Sequence, residues 1–221
     1  MHQTDEDTAV ARLNEALRDC PLVAILRWIT PPEVEGVAAA VIDEGFGIIE
    51  VPLNSPDALI SIERLSRRFG EEAVIGAGTV MSPAAAERVR DAGGTMIVMP
   101  HADLDVIQAA RSLGMSCIPG VATPTEGFAA LGAGANALKV FPAEAISPSV
   151  LKAWRAVFAK DIPLLPTGGV TEGSMAAWKE AGATGFGIGG NLYRPGRTAS
   201  QVREAAKSFA GAWRATSAGE R

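Results

Sequence analysis

The chain is poor in the residues from which metal centres, redox sites and disulfide frameworks are built. Its 221 residues include two cysteines and two histidines. The cysteines, Cys20 and Cys117, have neither metal-ligand nor redox spacing, so we expect buried free thiols in a reducing compartment. The histidines, His2 and His101, are too few for a histidine-rich metal site, and we expect neither a metal nor a cofactor.

The sequence also lacks an excess of positive charge, a long apolar run and a basic leader. The formal net charge is -5 and the isoelectric point is about 5.2, which argues against a nucleic-acid-binding surface. No apolar run approaches the roughly 18 residues of a membrane-spanning helix. Residues 1–7 are acidic and polar, unlike a secretory signal. We therefore expect a cytoplasmic protein with no nucleic-acid or membrane partner.

The chain does contain a recurring sequence pattern, in which a helical stretch is followed by a glycine and then by a short apolar strand. Glycine is favoured at the left-handed position that follows a helix. Successive glycines of this kind are separated by 48, 21, 20 and 48 residues, and they are Gly45, Gly93, Gly114, Gly134 and Gly182. A gap near 20 fits one strand–helix unit and a gap near 48 fits two, which predicts a chain of such units.

Eight strands complete this pattern: 22–27, 47–52, 73–77, 95–98, 116–118, 136–140, 163–166 and 185–188. Continuous apolar strands with helices between them indicate a parallel sheet that is covered on its faces. We predict an α/β fold, a closed (β/α)8 TIM barrel forming a single domain over 1–221. An extra helix at about 6–18, within residues 1–20, precedes this barrel. An open doubly wound sheet is the alternative.

Chemically active residues fall at the predicted strand ends, where the active site of such a barrel lies. Segment 136–142 is an apolar run that carries one lysine, Lys139. A lysine is costly to bury as an ammonium, because desolvation penalises the charge. A neutral lysine amine is a nucleophile toward a ketone, although a lysine that reaches solvent is the alternative on this segment alone. Five such residues would converge on one rim: Arg27, Glu50, Thr79, Lys139 and Thr167.

Two glycine pairs follow the seventh and eighth strands, where barrels of this kind bind phosphate. They are Gly168-Gly169 and Gly189-Gly190, whose backbone amides can approach a phosphate closely. A Schiff base on Lys139 would act as an electron sink, and Glu50 could move protons beside it. The pattern therefore favours Schiff-base chemistry on a phosphorylated 2-oxo acid.

Six segments together resemble the 2-keto-3-deoxy-6-phosphogluconate / 6-phosphogalactonate aldolase family: 25–27, 49–55, 75–80, 119–126, 138–144 and 166–170. The resemblance covers roughly residues 21–215. It implies a class I aldolase, usually a homotrimer of barrel subunits. Such an enzyme cleaves a six-carbon 2-keto-3-deoxy-6-phospho sugar acid to pyruvate and D-glyceraldehyde 3-phosphate.

The resemblance also implies a role for each matched residue. Lys139 forms the Schiff base, and Glu50 is the acid/base, acting through a water. Thr79 holds the pyruvate carboxylate with Arg27 nearby. The remaining substrate-binding residues that it implies are Asn54, Pro100, Phe141, Thr167, Gly168, Gly169, Gly189 and Gly190.

The choice between the two sugar acids depends on residues that disagree. Gluconate-type members carry an arginine where this chain has Asn54, which favours the galactonate type, whereas Thr167 is typical of the gluconate type. We expect the galactonate substrate. Trp28 stands where glycine is frequent, and Gly190 where a serine often contacts phosphate. A sugar-phosphate isomerase or epimerase with Glu50 as an enolising base, and a non-catalytic phospho-sugar-binding protein, are the alternatives.

Overall fold

The computed structural model describes residues 2–218, and the side chains of residues 8–216. Helices and strands alternate along this range. In chain order they are α1 (His2–Asp19), β1 (Leu22–Ile25), α2 (Pro31–Ile42), β2 (Ile48–Pro52), α3 (Ala58–Phe69), β3 (Val74–Gly78), α4 (Pro83–Asp91), β4 (Met96–Val98), α5 (Leu104–Ser112), β5 (Ser116–Ile118), β6 (Gly120–Val121), α6 (Pro124–Ala133), β7 (Leu138–Val140), α7 (Pro148–Arg155), β8 (Leu164–Pro166), α8 (Met175–Glu180), β9 (Phe186–Ile188) and α9 (Ala199–Ala218).

Local sequence explains where the helices begin and end. Several begin at a serine, threonine or aspartate that caps the first turn, as Ser82 and Asp103 do for α4 and α5. The five glycines of the recurring pattern all have a positive φ, between 73° and 109°, as expected for the residue that follows the end of a helix. No helix of the part of the chain described is long and apolar enough to cross a membrane.

The prediction of one closed eight-stranded barrel is wrong. Within the described residues, nine strands form two parallel sheets, a six-stranded sheet in the order β5-β4-β3-β2-β1-β9 and a three-stranded sheet in the order β6-β7-β8. Each predicted strand overlaps an observed one, but the predicted ladder is interrupted twice. An isolated bridge between Thr167 and Gly187 is the pairing at one junction.

Two local features account for these interruptions. Pro119 separates β5 from β6, and because proline has no N–H it cannot donate to a ladder. Its carbonyl accepts from Lys139 N at 2.9 Å, so the chain turns from β4 toward β7 at this residue. At the other junction, the Leu164 N–H donates to the Thr184 hydroxyl at 2.9 Å, a side-chain acceptor instead of a backbone one.

The strands enclose a small inner core, and the helices pack outside them over a larger one. The inner cluster contains apolar residues of β1 to β5 and of β8, Ala137 just before β7, and Leu13 of α1, which is fully buried. An N-terminal helix is present as predicted. It lies at the amino ends of the strands, since Arg12 donates to the carbonyl of Ala73 just before β3. The carboxyl ends therefore face away from α1.

Candidate active site

A buried lysine and a buried glutamate face each other between the two sheets. Lys139 lies in β7 and Glu50 in β2, and the Lys139 Nζ is 3.7 Å from Glu50 Oε1. Their side chains are 7% and 1% exposed. Neither Glu50 carboxylate oxygen has a hydrogen-bond partner among the described residues. Since a buried ion pair whose carboxylate lacks hydrogen bonds contributes little to stability, this pair is a candidate for a chemical role.

Neighbouring residues hold this pair in place. A Cβ on Gly78 of β3 would lie 2.7 Å from Glu50 Oε1, so glycine leaves room for the carboxylate. The Phe141 ring centroid is 5.2 Å from the Lys139 Nζ, which is within the range of a cation–π contact.

A cavity of about 10 Å³ connects the pair to Thr167. Its other walls are apolar residues of both sheets and Gly187. The buried Thr167 hydroxyl donates to the Leu165 carbonyl at 3.1 Å. The cavity is close to the smallest volume that holds one water molecule.

Arg27 and Asn54 form a second group at the same edge. The Arg27 Nη1 donates to Asn54 Oδ1 at 3.3 Å, and the Trp28 N–H donates to the buried Ser55 hydroxyl at 2.8 Å. These bonds tie the turn after β1 to the turn after β2.

Backbone strain is concentrated at these strand ends. Thr79, directly after β3, has a φ of 58°, and Trp28, which is 49% exposed, has a φ of 69°. Such conformations are uncommon for residues other than glycine and gather at functional sites. Pro100 follows β4, and its carbonyl carbon would be 2.5 Å from a Cβ on Gly120 of β6.

The two glycine pairs form adjacent turns. Gly168 and Gly169 have φ values of 106° and 61°. The Asn191 side chain, next to Gly190, donates to the Val170 carbonyl at 2.7 Å, which links the turn after β8 to the turn after β9. The N–H groups of Gly168 and Gly169 have no protein acceptor among the described residues, so both remain available to an anion.

Residues that sequence reasoning missed support these turns. The Arg197 guanidinium donates to the carbonyls of Asn191 and Leu192, the latter at 2.8 Å, and so holds the loop after β9. The Tyr193 hydroxyl donates to Glu33 of α2, and burial, followed by that carboxylate, raises the pKa of Tyr193. These contacts depend on loop conformations, for which the sequence carries no periodic signal.

The remaining predicted residues lie apart from the lysine–glutamate pair. His101 follows Pro100, and its Nε2 is 3.9 Å from a carboxylate oxygen of Asp103. Cys20 and Cys117 are free thiols, and burial raises the pKa of Cys117 to about 12. No group of three or more histidine, cysteine and acidic residues in the part of the chain described could hold a metal ion.

Comparisons with known proteins agree with this geometry. Residues 13–203 match the sequence model of a family described as "KDPG and KHG aldolase". The "Probable 2-dehydro-3-deoxy-6-phosphogalactonate aldolase" of Rhizobium meliloti (strain 1021) is 44% identical over 200 residues, covering 90% of this chain and 94% of the relative. The "2-dehydro-3-deoxy-6-phosphogalactonate aldolase" of Escherichia coli (strain K12) is 44% identical over 194 residues, covering 88% and 95%.

A solved structure gives the same result in three dimensions. The structure described as "Native KDPGal structure" superposes with a TM-score of 0.88 at 43% sequence identity. The match covers 90% of this chain and 96% of the other.

Proposed function

The chain belongs to the KDPG and KHG aldolase family, and on that premise we propose that it cleaves 2-dehydro-3-deoxy-6-phosphogalactonate to pyruvate and D-glyceraldehyde 3-phosphate. The family match confirms the resemblance predicted from the six segments. The observation that carries the proposal is the buried pair of Lys139 and Glu50, 3.7 Å apart. A class I aldolase needs an amine nucleophile and a proton-transfer group in the same site.

The reaction begins with attack of the neutral Lys139 amine on the C2 ketone. The carbinolamine loses water and leaves a protonated imine. Glu50, directly or through one water, removes the proton of the C4 hydroxyl. The C3–C4 bond then breaks, its electrons pass to the imine, and glyceraldehyde 3-phosphate leaves. Protonation of the resulting enamine at C3 and hydrolysis of the imine release pyruvate and restore the amine.

The two ends of the substrate would be held at separate places on the strand edge. Thr79, with Arg27 nearby, is suited to the C1 carboxylate, since a guanidinium and a hydroxyl both donate to it. The two linked glycine turns are suited to the phosphate, since their N–H groups point to no protein acceptor. Pro100 and Phe141 would wall the pocket between them.

Preference for the galactonate epimer is supported by Asn54 and by the named relatives. Asn54 accepts from Arg27, which orients the guanidinium at the carboxylate end. Both relatives described above are named for the galactonate substrate. Thr167 is the residue that opposes this preference.

The test compares pyruvate release from purified 2-dehydro-3-deoxy-6-phosphogalactonate and from its gluconate epimer, as kcat/KM. We expect a higher value for the galactonate epimer. Lys139→Ala should also lose the adduct that borohydride traps with pyruvate, whereas Lys152→Ala, at an exposed position on α7, should keep it. Absence of pyruvate from both epimers, or trapping that survives in Lys139→Ala, would contradict the proposal.

The same proposal extends to assembly and location. We expect a homotrimer that works in the cytoplasm in galactonate degradation. Light scattering of the purified protein measures the first, and a mass other than three chains would contradict it.

A further inference from the structure

An exposed glutamate lies against the glycine turn that is suited to phosphate. Glu144 belongs to a 3₁₀ turn, Ala143–Ala145, that follows β7. A Cβ on Gly168 would lie 2.9 Å from Glu144 Cδ, and one on Gly169 would lie 2.8 Å from Glu144 Cγ. The glutamate side chain therefore fills the space in which any other residue at these two positions would place its side chain.

The backbone fixes this segment beside the turn. The Ala143 N–H donates to the Thr167 carbonyl at 2.9 Å, immediately before Gly168. Ala143 itself is buried, so the 3₁₀ turn cannot move away without breaking packing and a hydrogen bond. Glu144 thus stays near the glycine turn even if its own side chain rotates.

The Glu144 carboxylate is not neutralised by the protein. In the part of the chain described, it has no ion-pair or hydrogen-bond partner. A phosphate at the Gly168-Gly169 turn would therefore meet an unpaired negative charge on a neighbouring element. Like charges a few ångströms apart repel, and the repulsion is reduced but not removed by solvent at an exposed site.

We propose that Glu144 is a specificity-determining residue that limits how strongly this site prefers phosphorylated over unphosphorylated ligands. The inference rests on the proposed function for the place of the phosphate. The glycine turns attract the phosphate, and Glu144 opposes it. This opposition keeps phosphate affinity low enough for the phosphorylated aldehyde to leave after each cleavage.

The experiment removes the charge and keeps the shape, with Glu144→Gln. Inorganic phosphate is titrated by calorimetry, and kcat/KM is measured for the phosphorylated substrate and for unphosphorylated 2-dehydro-3-deoxygalactonate. We expect phosphate to bind roughly threefold to tenfold more tightly, and the ratio of the two kcat/KM values to rise by the same factor. The gain should shrink at high ionic strength because salt screens the repulsion.

Two further variants separate charge from structure. Glu144→Ala should also tighten phosphate binding, and Glu87→Gln, at an exposed position on α4, should leave it unchanged. Unchanged or weaker phosphate binding in both Glu144 variants would overturn the inference. If the wild-type protein released pyruvate from neither epimer, the proposed function would fail, whereas the phosphate titration would still decide the role of Glu144.

Discussion

At the scale of single residues, we propose that Thr167 contacts C4, the carbon at which the two candidate substrates differ. Thr167 lines one cavity with Glu50 and Lys139. Its hydroxyl donates its proton to the Leu165 carbonyl, so toward a ligand the oxygen can act only as an acceptor. We expect this acceptor to form a hydrogen bond with the C4 hydroxyl of the gluconate epimer and none with that of the galactonate epimer.

Thr167→Val should therefore increase the preference for the galactonate epimer. Loss of one neutral hydrogen bond, worth about 0.5–1.5 kcal/mol, would lower kcat/KM for the gluconate epimer roughly twofold to tenfold. Steady-state kinetics on both epimers measures the ratio. Thr125→Val, on the exposed surface of α6, is the matched control. An unchanged ratio would remove Thr167 from epimer discrimination.

At the scale of elements, the start of α6 is held by a reciprocal cap. The Thr123 hydroxyl accepts from the Glu126 N–H at 3.3 Å, and the Glu126 carboxylate accepts from the Ala122 N–H at 2.8 Å and from the Thr123 hydroxyl at 2.9 Å. The bond from Ala122 is the main reason that the pKa of Glu126 is lowered. A carboxyl with a lowered pKa stabilises the folded state above its ordinary pKa, and that contribution is lost as the pH falls through the lowered value.

Glu126→Ala should reduce the free energy of unfolding by about 0.5–1 kcal/mol at neutral pH. The difference from wild type should shrink as the pH falls below the ordinary glutamate pKa and through the lowered pKa of Glu126, where the wild-type carboxylate becomes protonated. Urea denaturation at several pH values measures it. Glu87→Ala, inside α4, controls for the higher helix propensity of alanine. A difference that stays constant with pH would contradict the cap.

The elements also show what the sequence can and cannot predict. Strand positions follow from the spacing of apolar runs and closing glycines, and the carboxyl-end rule brings Glu50 and Lys139 together. The division of the strands into two sheets could not be predicted from the apolar pattern. It depends on single hydrogen bonds, which change at the proline between β5 and β6 and at the hydroxyl of Thr184. Similarly, the position of Glu144 beside Gly168 and Gly169 depends on a loop conformation that the sequence pattern does not predict.

At the scale of the whole molecule, the two sheets share one interior. Apolar residues of β1 to β5 from one sheet and of β8 from the other meet in a single buried cluster, although their ladders are separate. Leu13 of α1 belongs to this cluster and is fully buried. A Cβ on Gly47, just before β2, would lie 3.4 Å from the Ala16 Cβ, so α1 rests directly on the amino ends of the strands. The helix therefore covers the interior at the end opposite the lysine–glutamate pair.

Leu13→Ala should destabilise the protein without altering its chemistry. A fully buried leucine truncated to alanine costs about 2–5 kcal/mol, which would lower the Tm of a chain this long by roughly 4–20 °C. Leu104→Ala, at a position that is 40% exposed, is the matched control and should cost less than about 1 kcal/mol. Borohydride trapping with pyruvate should survive in both variants below the Tm, because the lysine–glutamate pair lies at the other end of the strands. Loss of trapping in folded Leu13→Ala would contradict this expectation and would show that α1 positions the lysine–glutamate pair from the opposite end of the strands.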